Sequence, residues 1–533
     1  MTAAQAEALA KLNGFALGAG AKLTVADSAA DLLNAANAAG LADATSVTLT
    51  GTSNVASATQ AEQLAGLTDF ALGSGAKLAV ADSAADLLNA AYAAGLADAT
   101  SVTLTGSNAE DAAQAEALAM LKGFTLGSGA KLAVSDNATN LLAGANAAGV
   151  KDATSVTLTG SNIDVTATEA ETLAKLKGFS LASGASLAVA DSAADLLNSA
   201  YAAGLAKATS VTLTGSNSVT AAQAEALAKL NGFTLAAGAT LAVSDNAADL
   251  LSSANAAGLA DATSVTLKDT AADIEKLTPT QIAALAGLGV KAIAATNASV
   301  LLTVAQATAL ETDGLAVSAP SGDVVTLSDT AAHVEALTPA QISDLETIGV
   351  AGIAATGASL ALNAADAAAI ETAGLTVSAP RGDAVSVSDT AANVAADQSP
   401  LSALVASGEI AWIEQLNADG SHTFGSIENG TTIAGTGEDD AFVFAPAFGH
   451  DVIANFAATG TNHDVLEFSA LSFSYMTAGE SAANEWTAFL ANSLTSPAAG
   501  AMITDTAGDT LTLDRVAKAT LSLAANAGDF KFV

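Results

Sequence analysis

The sequence predicts an α/β repeat: a right-handed solenoid of helix-turn-strand coils with a parallel β-sheet, plus a C-terminal, mostly β domain. Three observations carry this. One segment recurs five times, marked by Phe15, Phe70, Phe124, Phe179 and Phe233 at steps of 55, 54, 55 and 54 residues. Each copy divides into two similar halves of about 27 residues, each reading helix, turn, strand. Past about residue 400 the alanine-rich pattern fades, and 10 of the 15 phenylalanines lie there.

The first half-repeat runs "TAAQAEALAKLNGFALGAGAKLTVAD". Thr2 and Gln5 have capping-box spacing, and Leu9 and Leu12 share one helical face. A glycine-rich turn leads to the strand "KLTV". The second half runs "SAADLLNAANAAGLADATSVTLTG". Ser28 and Asp31 suggest another capping box. Leu32, Leu33 and Ala36 are expected to line its buried stripe. Gly40, Gly95, Gly149, Gly204 and Gly258 stand where a left-handed helix stop is expected. In "SVTL", Val47 and Leu49 point to one face and Thr48 and Thr50 to the other. Short helix-strand units that cannot bury their faces alone stack into a solenoid, and parallel crossovers are right-handed in nearly all cases.

A second repeat family follows. "VTLKDTAA" at Val265, "VTLSDTAA" at Val325 and "VSVSDTAA" at Val385 lie 60 residues apart. Thr278-Pro279 and Thr338-Pro339 fit an N-cap followed by proline in the first turn. The expected divisions are 1–267 for the five 54–55-residue repeats, 268–395 for two 60-residue repeats, and 396–533 for the β-rich remainder, with about 14 coils in all.

Composition narrows the function. There are 54 Asp+Glu against 17 Lys+Arg, a formal charge of −37, so nucleic acid and anionic lipid are poor partners. Carboxylates are the usual ligands of calcium. There is no cysteine, hence no disulfide or thiolate metal site. "MTAAQAEALAKLNGF" lacks a basic start followed by an apolar run, and no stretch reads as a membrane span. Cytoplasmic residence, or export without an N-terminal signal, is expected.

The most informative C-terminal run is "GTGEDDAFVF". Gly435, Gly437 and Asp439 have the spacing G-x-G-x-D, with Asp440 beside them. Glycines let the backbone bend its carbonyls toward an ion, and aspartate supplies charge. Asp451 and Asp464 accompany the strand-like "FGHDVIANF" and "HDVLEF". These six residues are the candidate calcium ligands.

The run "GTGEDDAFVFAPAFGHDVIANF" and the tail "DTLTLDRVAKATLSLAANAGDFKFV" resemble the C-terminal region of secreted repeats-in-toxin proteins of Gram-negative bacteria, over Gly435 to Val533. The resemblance implies an uncleaved C-terminal signal for type I secretion and one or a few calcium ions. The tandem calcium nonapeptide array of that family is absent. The alanine-rich repeats resemble those of large alphaproteobacterial surface proteins.

Other motifs have plain readings. Asp27, Asp82, Asp136, Asp191 and Asp245 each precede a helix, which predicts N-capping rather than an ion ladder. Arg381-Gly382-Asp383 aligns with Ser321-Gly322-Asp323 one repeat earlier and reads as a repeat turn. His333, His422, His450 and His463 are scattered, and no catalytic set is suggested. The first coil, "TAAQAEALAKLNGF" at Thr2, is identical to the copy at Thr220, so a ready-to-stack end is expected. The expected function is therefore a non-enzymatic, secreted structural protein whose partners are other copies of itself, as a filament or surface layer. The alternative is a monomeric calcium-dependent adhesin or biofilm-matrix protein that binds cell-surface glycan.

Overall fold

The computed structural model describes residues 1–161, 163–427, 429–476, 482–522 and 528–533. It divides into two compact units, Met1–Leu241 and Ala242–Val533. Both are solenoid-like stacks of short parallel strands and helices.

In the first unit the capping boxes form as the spacing predicts. Thr2 with Gln5, Ser57 with Gln60, Asp111 with Gln114, Thr166 with Glu169 and Thr220 with Gln223 each exchange both bonds. The Ser28–Asp31 box is only half formed. Ser28 accepts from the Asp31 N–H, but its own N–H goes to Asp27 Oδ1 (2.9 Å). Aspartate is one methylene shorter than glutamine, and the preceding carboxylate takes the bond instead.

The second half-repeat is not one helix. Asn34, in an extended conformation, accepts from the Ala36 N–H (3.0 Å) and stops the helix Ala29–Leu32 after one turn. The chain restarts as Ala38–Ala42. Ala36 is therefore exposed and Leu33 half-buried, against expectation, while Leu32 and Leu41 are buried. Leu12 is also exposed, because its helix ends at Ala10. The buried stripe there is Ala3 and Ala6, continued by leucine in later copies at Leu64, Leu118, Leu173 and Leu227.

Strands carry the expected alternation, with Val47 and Leu49 fully buried and Thr48 on the outer face. The register is parallel throughout this unit. Val47 lies opposite Val25 on one side and Phe70 on the other. The stack is divided into separate small sheets, such as Asn54–Ala56, Leu78–Asp82, Ser101–Leu104 and Thr125–Leu126.

The glycines of the second half-repeat correct the sequence reading. Gly40, Gly95, Gly149, Gly204 and Gly258 lie inside helices, and none adopts a positive φ. Gly40, Gly95, Gly149 and Gly204 serve close helix approach. A Cβ at Gly40 would lie 2.2 Å from Glu7 N, and one at Gly149 would lie 2.2 Å from Ala115 C. At the same crossing the glycine N–H donates to a glutamate on the earlier helix: Gly40 to Glu7 (2.8 Å), Gly95 to Glu62 (2.9 Å), Gly149 to Glu116 (2.8 Å) and Gly204 to Glu171 (2.8 Å). This bond holds the Glu7 and Glu171 carboxyls below their ordinary range.

The aspartate column does not supply the N-caps that the sequence predicts; those are the following residues, Ser28, Ser83, Asn137, Ser192 and Asn246, and each aspartate precedes one. Asp27 Oδ2 accepts from Ala3 N (2.9 Å), the first N–H of the helix 24 residues earlier. Its Oδ1 accepts from Ser28, the N-cap of the next helix. Asp82, Asp136 and Asp191 repeat this bridge to Ala58, Ala112 and Ala167. The alternate coils use asparagine, with Asn54, Asn108 and Asn217 accepting from Ala29, Ala84 and Ala193. Asp245 takes its neighbour's N–H from Asn246 (2.9 Å).

In the second unit the same bridge recurs at Asp269, Asn297, Asp329 and Asp389. Thr278 and Thr338 cap helices with proline in the first turn, as predicted. The parallel ladder runs through Val385–Thr390 and Trp412–Leu416, then turns antiparallel at His422–Gly425. From there successive strands alternate between two sheets. His422–Gly425, Asp440–Phe444 and Val465–Phe468 join one, and Thr432–Ala434 and His450–Ala454 the other. Phe442, Phe444, Phe468, Phe473 and Phe489 fill the space between. Sheets facing at about 10 Å need large side chains, whereas the repeats close on alanine.

A graded pair of substitutions tests the glycine contact. Gly149→Ala is expected to cost at least about 1–3 kcal/mol, because packed backbone must move. Gly144→Ala has open space at its Cβ and an ordinary φ, and is expected to be near neutral. Urea unfolding of the two variants reads the difference.

Candidate metal centre

Two turns of the second unit collect aspartates. In the first, the strand Thr432–Ala434 ends and the chain turns at Gly435 to enter Asp440–Phe444. Gly437 has φ 111°, a left-handed conformation that favours glycine. Gly435 is needed for a different reason. A Cβ there would lie 3.1 Å from Asp440 Oδ2, 3.2 Å from the Asn455 carbonyl and 3.3 Å from Asp464 Oδ2. Three oxygens thus crowd one face of this residue.

Asp440 and Asp464 are 1% exposed. Asp440 accepts from Thr436 N (2.6 Å) and Thr436 Oγ1 (2.8 Å). Asp464 accepts from Asp440 N (3.2 Å) and Ala457 N (2.8 Å). Burial, with the neighbouring charges of Asp440 and Asp439, pushes Asp464 up to about 6. Asp439 is exposed and accepts from His463 N (3.1 Å).

The structure brings Gly435, Gly437, Asp439, Asp440 and Asp464 together and places Asp451 elsewhere. Asp451 lies on His450–Ala454, in the other sheet, where its Oδ1 accepts from Thr431 N (2.9 Å). Its Oδ2 is enclosed without a hydrogen-bond partner among the described residues, and so is Asp509 Oδ2. Burial, together with the Asp509 charge, pushes Asp451 up to about 6 against the opposing pull of the Thr431 and Gly430 N–H groups.

Sequence reasoning missed Asp509 and Asp529. The signal available was a Gly-Asp pair opening each strand, "GDT" at Gly508 and "GDF" at Gly528. Asp529, 1% exposed, meets His463 Nδ1 at 2.8 Å, and burial raises its carboxyl above the usual range. Of the secretion-like tail, residues 523–527 lie outside the described residues. Phe530–Phe532 is a strand parallel to Val465–Phe468.

The donor set is all oxygen, which suits a hard cation such as calcium. Among the described residues no three His, Cys, Asp or Glu side chains converge closely enough to hold an ion by themselves. Asp440 and Asp464 fit the ion only together with backbone oxygen such as that of Asn455.

The Arg381-Gly382-Asp383 turn matches its counterpart. Gly382 and Gly322 have φ 96° and 94°, and Asp383 and Asp323 accept from Ser359 and Ser299 (3.2 and 2.9 Å). His333 pairs with Asp329 (2.7 Å) and His422 with Glu414 (2.7 Å). No helix among the described residues is long and apolar enough to cross a membrane.

No protein-family model and no curated protein matches this chain. Among solved structures, it is similar at 9% identity and a TM-score of 0.16 to the LRR ectodomain of the plant membrane receptor kinase GASSHO1/SCHENGEN3 from Arabidopsis thaliana, in complex with CASPARIAN STRIP INTEGRITY FACTOR 2. The match covers 84% of this chain and 53% of that one, so the chain spans about half the length of that ectodomain. At that score the likeness carries no argument.

The raised carboxyls set a pH dependence. Asp451 and Asp464 bind their protons more tightly folded than unfolded, so their contribution is complete below about pH 4 and is lost as pH rises through about 6. In chelator, melting of the C-terminal region is expected to fall between those limits, and Asp464→Asn to reduce the fall. Excess calcium is expected to raise the melting temperature most above pH 6, where the carboxylates are ionised. Calorimetry with chelator and with calcium checks both.

Proposed function

We propose that this protein is an extracellular structural protein of a Gram-negative bacterium that assembles head to tail into a filament or surface layer. The carrying observation is self-complementarity. Within the first unit, near-copies of one 54–55-residue segment stack using the same contacts each time. A surface that fits its own copy by translation along a stack makes a heterologous, non-closing contact, and such contacts build open polymers. The reading takes the stack as a right-handed solenoid with a separate C-terminal β domain. It takes the C-terminal resemblance as a type I secretion signal, and the Asp440–Asp464 turn as a calcium ligand set that matures outside the cell. It assigns no catalysis.

A second reading, a monomeric calcium-dependent adhesin or matrix protein, has one observation in its favour. A groove of about 500 Å³ is lined by Trp412, Asp383, Glu409, Ser378, Thr431 and Thr432. An indole beside carboxylates and hydroxyls is the chemistry that holds a sugar ring, and Trp412, half-buried against the core, also lines this groove.

Negative-stain electron microscopy and sedimentation of the purified chain, with and without calcium, separate the two. Filaments or sheets of regular repeat are expected. A stable monomer at high concentration in both conditions removes the assembly reading, and glycan binding by that monomer, lost in Trp412→Ala, establishes the second.

A further inference from the structure

Asp366 is a buried carboxylate standing where the preceding repeat has a buried amide. The two positions are 60 residues apart in near-identical surroundings. Val304 N donates to Asp329 Oδ2 (3.0 Å), and Ala364 N to Asp389 Oδ2 (3.1 Å). Leu301 N donates to Glu275 Oε1 (2.9 Å), and Ala361 N to Glu335 Oε1 (2.9 Å). Both residues occupy the third position of a helix, Val304–Asp313 or Ala364–Thr372.

In the earlier repeat Gln306 uses both ends of its amide. Its Oε1 accepts from Thr303 N (2.9 Å), and its Nε2 donates to the carbonyls of Glu275 (2.9 Å) and Leu277 (2.8 Å). The 60-residue shift makes Glu335 and Leu337 the counterparts of those carbonyls. Asp366 is 1% exposed. Its Oδ2 accepts from Asn363 Nδ2 (2.5 Å), which is the N-cap side of the group. Its Oδ1 is enclosed and has no hydrogen-bond partner among the described residues. An ionised Asp366 has no hydrogen to offer in place of the two bonds that the Gln306 amide donates, and a buried charge with one oxygen unpartnered is costly.

We infer that Asp366 is folded as the neutral acid, its Oδ1–H taking toward the Glu335–Leu337 carbonyls the donor role of the Gln306 amide, and that loss of this proton loosens the helix Ala364–Thr372. The surrounding charges agree. Burial raises the Asp366 carboxyl and Asp389, on Val385–Thr390, raises it further, against the lowering bond from Asn363. The helix Pro339–Asp344 brings only Asp344, and Ala331–Val334 brings His333, which is paired with Asp329. Glu335 is engaged with Ala361 N, and Glu371 lies at the far end of the same helix. The helices Ala391–Ala396 and Gln398–Ala406 bring no titratable side chain. A carboxyl raised on folding stabilises fully below its unfolded pKa and loses that contribution as pH rises through the folded value. The first 60-residue repeat, with glutamine here, has no such dependence at this position.

Hydrogen exchange of the full chain tests this. Peptides from 364–372 are compared with those from 304–313 across about pH 4 to 8, after correction for intrinsic rates, in chelator. Protection of 364–372 is expected to fall by up to about tenfold for each pKa unit by which folding raises the group, while 304–313 stays level. Asp366→Gln, the residue of the earlier repeat, and Asp366→Asn, which keeps the side-chain size, are both expected to abolish the fall. An equal fall in wild type and Asp366→Asn overturns the inference. So does flat protection of 364–372 in the wild type, or a fall in chelator that added calcium abolishes, since a cation rather than a proton would then occupy the gap.

Discussion

The fold depends on how each helix of the stack finds partners for its first N–H groups. Four such groups per helix have no partner within the helix itself. The N-cap side chain takes one, as Thr2 does for Gln5. Another goes to an aspartate at the end of the next strand, as Ala3 does to Asp27, or to an asparagine at the start of a short strand beyond it, as Ala29 does to Asn54. Leaving such a buried donor unpaired costs about 1–3 kcal/mol. The bridge therefore fixes which strand lies beside which helix, and the parallel register follows. Because the aspartate also takes the N–H of the following N-cap, one carboxylate ties two consecutive helices to one strand end.

The same constraint explains the composition. Coils joined this closely leave room only for small side chains between helices, hence the alanine content and the glycines at helix crossings. Many of the acidic residues are structural acceptors: Asp27, Asp82, Asp136 and Asp191 bind backbone, as do Glu7, Glu62, Glu116 and Glu171. In the two-sheet region phenylalanine replaces the alanine, valine and leucine that fill the repeats.

Carboxylates in this chain thus differ in whether hydrogen bonding or burial dominates. Those of the ladder accept backbone N–H groups, and the bond lowers Glu7 and Glu171. Asp464, Asp451 and Asp366 are so deeply buried that burial raises all three despite the bonds they accept. Such a group needs a proton or a cation. At the Gly435 turn Asp440, Asp464 and the Asn455 carbonyl crowd one position, and on this the proposed calcium ligand set rests. At Asp366 the glutamine of the preceding repeat supplies hydrogens in the same place, which favours a proton.

The sequence by itself determined what spacing within a few residues controls. The 54–55-residue period, the Thr2–Gln5 capping boxes, the inward Val47 and Leu49, Pro279 in a first turn and the clustering of Gly435, Gly437, Asp439 and Asp440 were all legible, because each rests on bonds or faces set by near neighbours. The tertiary structure decided the rest. Gly40 proved a helix crossing rather than a helix stop, Asp27 a bridge rather than a simple cap, Asn34 a break in the predicted helix, and Asp451 the partner of a different turn. The Asn34 break is local, an asparagine accepting from the N–H two residues on, but the others depend on contacts 24 to 33 residues apart, or between sheets, whose geometry is set by the rise from one coil to the next. No local pattern encodes that rise. It emerges only when strand spacing, helix spacing and the buried N–H groups are satisfied together.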